Sequence, residues 1–131
     1  MRKVIFTLIL ALGITAAVFG QTTESITLKA GKNARARHSG LTLRFVEVTE
    51  DSRCPAGLAC VWAGNARVKI QVVNRGGGTK TLEANTTMGP KGDQFDGWAI
   101  ELVSLTPRPT KKGKPGAKSY IAAFTITRLQ R

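Results

Sequence analysis

One histidine, eight carboxylates and two cysteines are the residues from which this chain would have to build chemistry. His38 sits in a polar stretch with Arg35, Arg37 and Ser39. A nucleophile, base and orienting group would require His38 to meet a distant serine and a carboxylate, and nothing in the spacing signals that arrangement. Placement on the surface or at a strand end explains it. Asp93 and Asp96, in Gly92-Asp93-Gln94-Phe95-Asp96-Gly97, could serve calcium or glycosidic chemistry. Calcium needs more oxygen ligands than two carboxylates at this spacing secure, and a glycosidase needs a second, differently tuned carboxylate in a cleft. A polar turn accounts for the pair. The glycines 76–78 lead into a strand pattern with no helix behind it, so they do not form a phosphate-cradling loop. The sequence therefore predicts a non-catalytic protein that calls for no cofactor and no metal.

The cysteines, Cys54 and Cys60, have five residues between them. Zinc would need ligands beyond two thiolates and His38, and the spacing is not the two-residue one of thiol oxidoreductases. Their reading depends on the compartment. The chain opens Met1-Arg2-Lys3, runs without charge over 4–19, and carries the small residues Ala16, Ala17 and Gly20 before Gln21. These are the charged start, apolar middle and cleavage site of a signal peptide over 1–20, cut after Gly20 or, in competition, after Ala17. The apolar run falls short of the roughly 20 residues that a membrane-crossing helix needs, so no transmembrane anchor is expected. A lipid anchor would need a cysteine at the new N-terminus, and neither cysteine lies there. The protein is thus expected to be exported, to a periplasm or outside the cell, where Cys54 and Cys60 would join as a disulfide.

Lysine and arginine number 20 against 8 acidic residues, and losing Arg2 and Lys3 with the signal peptide leaves a net charge of +10. Part of the excess is concentrated. Arg108, Lys111, Lys112, Lys114 and Lys118 fall in one segment broken by Pro107, Pro109, Pro115, Gly113 and Gly116, a composition that is extended or mobile. Such a segment attracts polyanions through a term that salt weakens, whether an acidic glycan, lipopolysaccharide or, non-specifically, nucleic acid. No exposed aromatics stand beside these residues in sequence, so base stacking is not expected. The plainer alternative is a solvated hairpin tip whose charges keep the protein soluble.

The elements that must position these groups are strands. Leu41, Leu43 and Phe45 alternate with Thr42 and Arg44, and Ala66, Val68, Ile70 and Val72 alternate with Arg67, Lys69 and Gln71. Alternating runs recur over 25–30, 79–84, 98–105 and 120–129, and none has a helical period. Residues 74–78, with three glycines, predict a hairpin between strands ending near Val73 and starting near Thr79. The phase slips from Phe45 to Val46 and from Leu102 to Val103, which predicts bulges or burial on both faces. The expectation is an all-β protein with one domain over 21–131. It would be a compact antiparallel sandwich or partly closed barrel of about six or seven strands, preceded by the cleaved signal-peptide helix.

Special residues are densest around the cysteines: Asp51-Ser52-Arg53-Cys54-Pro55, a short spacer, then Cys60-Val61-Trp62-Ala63-Gly64. This string, with a later strand-like segment ending in Thr106-Pro107, resembles a group of small secreted bacterial proteins with no assigned activity. The resemblance implies export and a β domain, and it brings no mechanism. The residues themselves support two accounts. In the first, the disulfide pinches a strand crossing, Trp62 lays its ring on the disulfide or the sheet, and Gly64 permits a backbone conformation closed to other residues. In the second, Arg53, Trp62 and the ring between the cysteines form an exposed recognition tip, since aromatic and arginine anchors dominate interfaces. The leading functional expectation is a binding role towards an anionic envelope component or a partner protein. The alternative is a secreted hydrolase inhibitor that inserts the disulfide loop Cys54–Cys60 into its target.

Overall fold

The computed structural model describes residues 15–18 and 20–130, so most of the expected signal-peptide helix lies outside the described residues. Eight strands follow: β1 (Thr23–Lys29), β2 (Asn33–Arg35), β3 (Thr42–Asp51), β4 (Ala66–Val73), β5 (Thr79–Asn85), β6 (Gly92–Phe95), β7 (Trp98–Thr106) and β8 (Ile121–Arg128). They form two antiparallel four-stranded sheets, ordered β1-β8-β7-β6 and β2-β3-β4-β5, which face each other as a sandwich and do not close into a barrel. The strands that the six alternating runs leave out are β2 and β6. Three and four residues are too few for a period of two to register in the sequence.

Alternation explains the core. Along β4 every second side chain is buried, Ala66, Val68, Ile70 and Val72, while Arg67, Lys69 and Gln71 face partly outward. Leu43 and Phe45 from β3 meet Ile100 and Leu102 from β7 and Ala122, Phe124 and Ile126 from β8. The rings of Phe45 and Phe124 cross edge to face at 6.5 Å and 90°, joining the central strands of the two sheets. Both phase slips are bulges: the β3–β4 register shifts between Phe45 and Glu47 and again between Val48 and Glu50, and the β7–β8 register shifts between Leu102 and Ser104. Residues 74–78 make the expected hairpin, with the Asn74 amide donating to the Gly78 carbonyl at 2.9 Å.

The loops divide between two ends. One end collects 52–65 between β3 and β4, 86–91 between β5 and β6, and 107–120 between β7 and β8; it is called here the cysteine end. The other carries the turns 36–41, 74–78 and 96–97. At the open edge shared by β5 and β6, Lys80 spans the two sheets, pairing with Asp93 at 2.8 Å and donating to the Gln94 carbonyl at 2.9 Å.

Candidate functional site

Cys54 and Cys60 are joined, with their Cα atoms 5.9 Å apart. The root of this loop is held from inside the protein. Asp51 ends β3 and Arg53 follows two positions later; both turn inward, and both are buried. The Arg53 guanidinium donates through Nε to Asp51 Oδ1 and through Nη2 to Oδ2, each at 2.8 Å. Two further bonds reach the backbone at the end of β7 and just beyond it, with Nη1 to the Leu105 carbonyl at 2.6 Å and Nη2 to the Pro107 carbonyl at 2.8 Å. Tyr120, just before β8, donates its hydroxyl to Asp51 Oδ2 at 2.8 Å. Burial by itself would raise the Asp51 carboxyl, but the hydrogen bonds from Arg53 and Tyr120 and the guanidinium charge outweigh it and hold the group below the usual carboxylate range. Burial, then the bond to Asp51, pushes the Tyr120 hydroxyl up to about 12.

This corrects the expectation that Arg53 is part of an exposed recognition tip. Its buried side chain clamps the cysteine loop to the end of β7 and the chain that leaves it. Trp62 is not packed away as the other account expects: it is 77% exposed. Val61 beside it is 96% exposed, and Leu58, inside the disulfide ring, is 46% exposed. Gly64 behaves as expected. Its φ is +69°, and a Cβ there would overlap the Ser52 carbonyl oxygen.

A second set of bonds ties the cysteine loop to its neighbours. The Ala56 amide donates to the Pro109 carbonyl at 2.8 Å, and Pro109 itself is buried. Thr110 and Gly113 exchange two backbone hydrogen bonds at 3.0 Å, and the Ser119 amide closes a further turn on the Gly116 carbonyl. The basic segment therefore takes two defined turns, where its prolines and glycines suggest a stretch extended throughout. On the other flank, buried Asn65 accepts at Oδ1 from the amides of Thr87 and Met88 at 3.0 and 3.1 Å, and its Nδ2 donates to Asn85 at 2.9 Å. The cysteine loop is thus bonded to both of the other loops at this end.

Charge at this end is one-sided. Arg108, Lys111, Lys112, Lys114 and Lys118 are all exposed, and the three loops contain no aspartate or glutamate. None of these five cations is in an ion pair among the described residues. Their loop is also bonded to the one that bears Trp62. Trp62 and Lys111 are remote along the chain but belong to loops joined by that backbone bond.

The opposite end has an open cleft of about 990 Å³ lined by His38, Ser39, Arg75, Asp96, Trp98 and Arg128, among others. Its polar groups serve the turns around it. The amides of His38 and Ser39 donate to the Glu24 carboxylate at 3.0 and 2.8 Å, and Ser39 Oγ accepts from the Leu41 amide. Burial would raise Glu24, and those amide bonds outweigh it and lower the carboxyl. Asp96 and Gly97 have φ values of 50° and 79° and make the two-residue turn between β6 and β7, in accord with the polar-turn reading. Asp93 leaves this region to pair with Lys80, whose hydrogen bond is the main cause of its lowered carboxyl pKa. The arrangement brings His38 and Asp96 to one cleft, with no side-chain bond joining them.

Sequence reasoning missed two sets of residues. Tyr120 reads as one more apolar strand residue, although a buried tyrosine hydroxyl requires a partner. Asn65 and Asn85 carry no sequence signal at all. Comparison with protein-family models, with curated proteins and with solved structures finds no match to this chain.

Proposed function

We propose that this protein is an exported, non-catalytic binding domain that takes an anionic component of the cell envelope at its cysteine end. One observation carries the reading: the loop with five exposed cations and the disulfide loop, neither of which contains an aspartate or glutamate, are bonded to each other through Arg53 and Ala56. Held loops lower the entropy cost of engaging a partner, and unpaired cations supply attraction that reaches about 10 Å at moderate salt. The resemblance to secreted bacterial proteins and the disulfide accord with export.

Retention of the chain from Gln21 onward on immobilised heparin, lipopolysaccharide and DNA, each across a salt series, tests the proposal. If all five cations engage a dense polyanion, the logarithm of affinity should fall with that of salt with a slope of about −4 to −5. Replacing Lys111, Lys112 and Lys114 by glutamine should flatten that slope by about 3. Retention that ignores either salt or these substitutions would refute the proposal.

A second reading is favoured by Val61 and Trp62, large apolar side chains that stand out beside a disulfide-tied loop. In it the protein is a secreted hydrolase inhibitor. A panel of proteases and lysozymes is the assay, and inhibition lost on changing Cys54 and Cys60 to serine is the result this reading requires.

A further inference from the structure

Three large apolar side chains lie outside the core on one short loop: Leu58, Val61 and Trp62. Large exposed apolar groups gathered beside a polar rim mark a contact surface, because covering them releases about 25 cal/mol per Å². The adjoining loop is cationic: the one that carries Lys111, Lys112 and Lys114 is bonded to theirs at Ala56 and Pro109. A soluble glycan or nucleic acid would meet the lysines and leave Val61 and Leu58 in water. A lipid surface with anionic headgroups meets both. Tryptophan favours this boundary, where its ring is apolar and its N–H finds a wet partner.

The cationic surface also continues down one side. Lys118 at the end of the basic loop faces Lys29 and Lys32 across a groove of about 590 Å³ that includes the partly exposed Val46. Glu47, the acidic residue of that groove, pairs with Lys69 at 3.6 Å. The groove offers headgroup phosphates a second place beside the tip.

We infer that the cysteine end seats on an anionic lipid surface, with Leu58, Val61 and Trp62 entering the headgroup boundary and the lysines of the β7–β8 loop meeting phosphates. The inference rests on the proposed envelope-binding role and narrows its target to a lipid interface. Entry is shallow, on the scale of the roughly 5–10 Å that interfacial segments reach, and the disulfide keeps the apolar tip presented.

Tryptophan fluorescence tests it directly, because the chain has two tryptophans and the other, Trp98, is buried at 6% exposure. The chain from Gln21 onward contains all eight strands and the whole of the described core, and is the material to use. It is titrated with vesicles of phosphatidylcholine alone and with vesicles of equal phosphatidylcholine and phosphatidylglycerol. The expected result is a blue shift with the mixed vesicles only. Val61→Asp and Trp62→Ala should each weaken vesicle partition on the order of ten-fold, and each lysine changed to glutamine about five-fold. These side chains are exposed, so the variants should keep the parent's melting temperature; partition by sedimentation covers the variant that lacks Trp62.

Binding to mixed vesicles with no blue shift and no effect of Val61→Asp would overturn insertion. Retention on heparin without any vesicle binding would overturn the lipid inference while the polyanion reading stands. Failure on every anionic matrix would sink both. Inhibition of a hydrolase, with no vesicle binding, would assign the apolar tip to a protein cleft instead.

Discussion

Two positions apart on an extended chain, side chains share a side, and Asp51 and Arg53 share the inner one. A buried ion pair adds little against an apolar pair of the same shape, yet removing one partner strands the other charge away from water. Asp51→Asn should therefore cost about 3–5 kcal/mol in urea unfolding. Tyr120→Phe should cost about 1 kcal/mol, because Arg53 still satisfies Asp51. The two groups also set opposite limits in pH. The folded Asp51 carboxyl lies below its unfolded value of about 3.9, so its contribution is complete above that pH and is lost as pH falls through the folded value. Tyr120 is raised from 10.0 to about 12, so its contribution is complete below pH 10 and is lost as pH climbs towards 12. Removing the Tyr120 hydroxyl should remove this share of the alkaline loss, which unfolding at graded pH would read. At this scale the sequence was legible for residue types and not for directions. That Arg53 is special is evident from its company, but a loop arginine gives no sign of whether it points out to a partner or in to the carbonyls of Leu105 and Pro107, more than fifty positions away.

Strands were legible where they were long. Alternation located the seams of β1, β3, β4, β5, β7 and β8, and slips in its phase located the bulges, because a side-chain period of two must break wherever a residue is inserted. It could not find β2 and β6, nor show that the cysteine loop would be bonded to two loops far from it in sequence. The cysteine loop depends on two local devices of different kinds. Its disulfide closes a small ring and should contribute about 2 kcal/mol, mostly by restricting the unfolded chain. Gly64 acts in the folded state, since any side chain there meets the Ser52 carbonyl while the backbone sits in the left-handed region. Gly64→Ala is accordingly expected to cost more than about 1 kcal/mol and to loosen the loop. Thermal melts of Gly64→Ala and of the double cysteine-to-serine variant check both expectations. A Gly64→Ala protein as stable as the parent would show that the loop root can shift.

Across the whole molecule, one core serves both sheets, and Phe45 and Phe124 meet at its centre. Phe124→Ala should cost about 3–5 kcal/mol and lower a single transition for the entire sandwich, with near- and far-ultraviolet signals melting together. Separate transitions would mean that the sheets hold independently. The edges are guarded too: β2 and β6 are short, and Lys80 crosses between β5 and β6, which discourages pairing with other chains. The same sandwich brings its own entry and exit together, for the Arg128 amide donates to the Thr22 carbonyl at 2.9 Å, at the end away from the cysteines. A bead, dye or affinity handle joined beside either residue would hang from the far pole and leave the lysines and Trp62 facing outward. The sequence order could even be redrawn, with a short linker between these neighbours and a new start cut into the 74–78 hairpin, and the loops at the opposite pole would keep every bond that holds them.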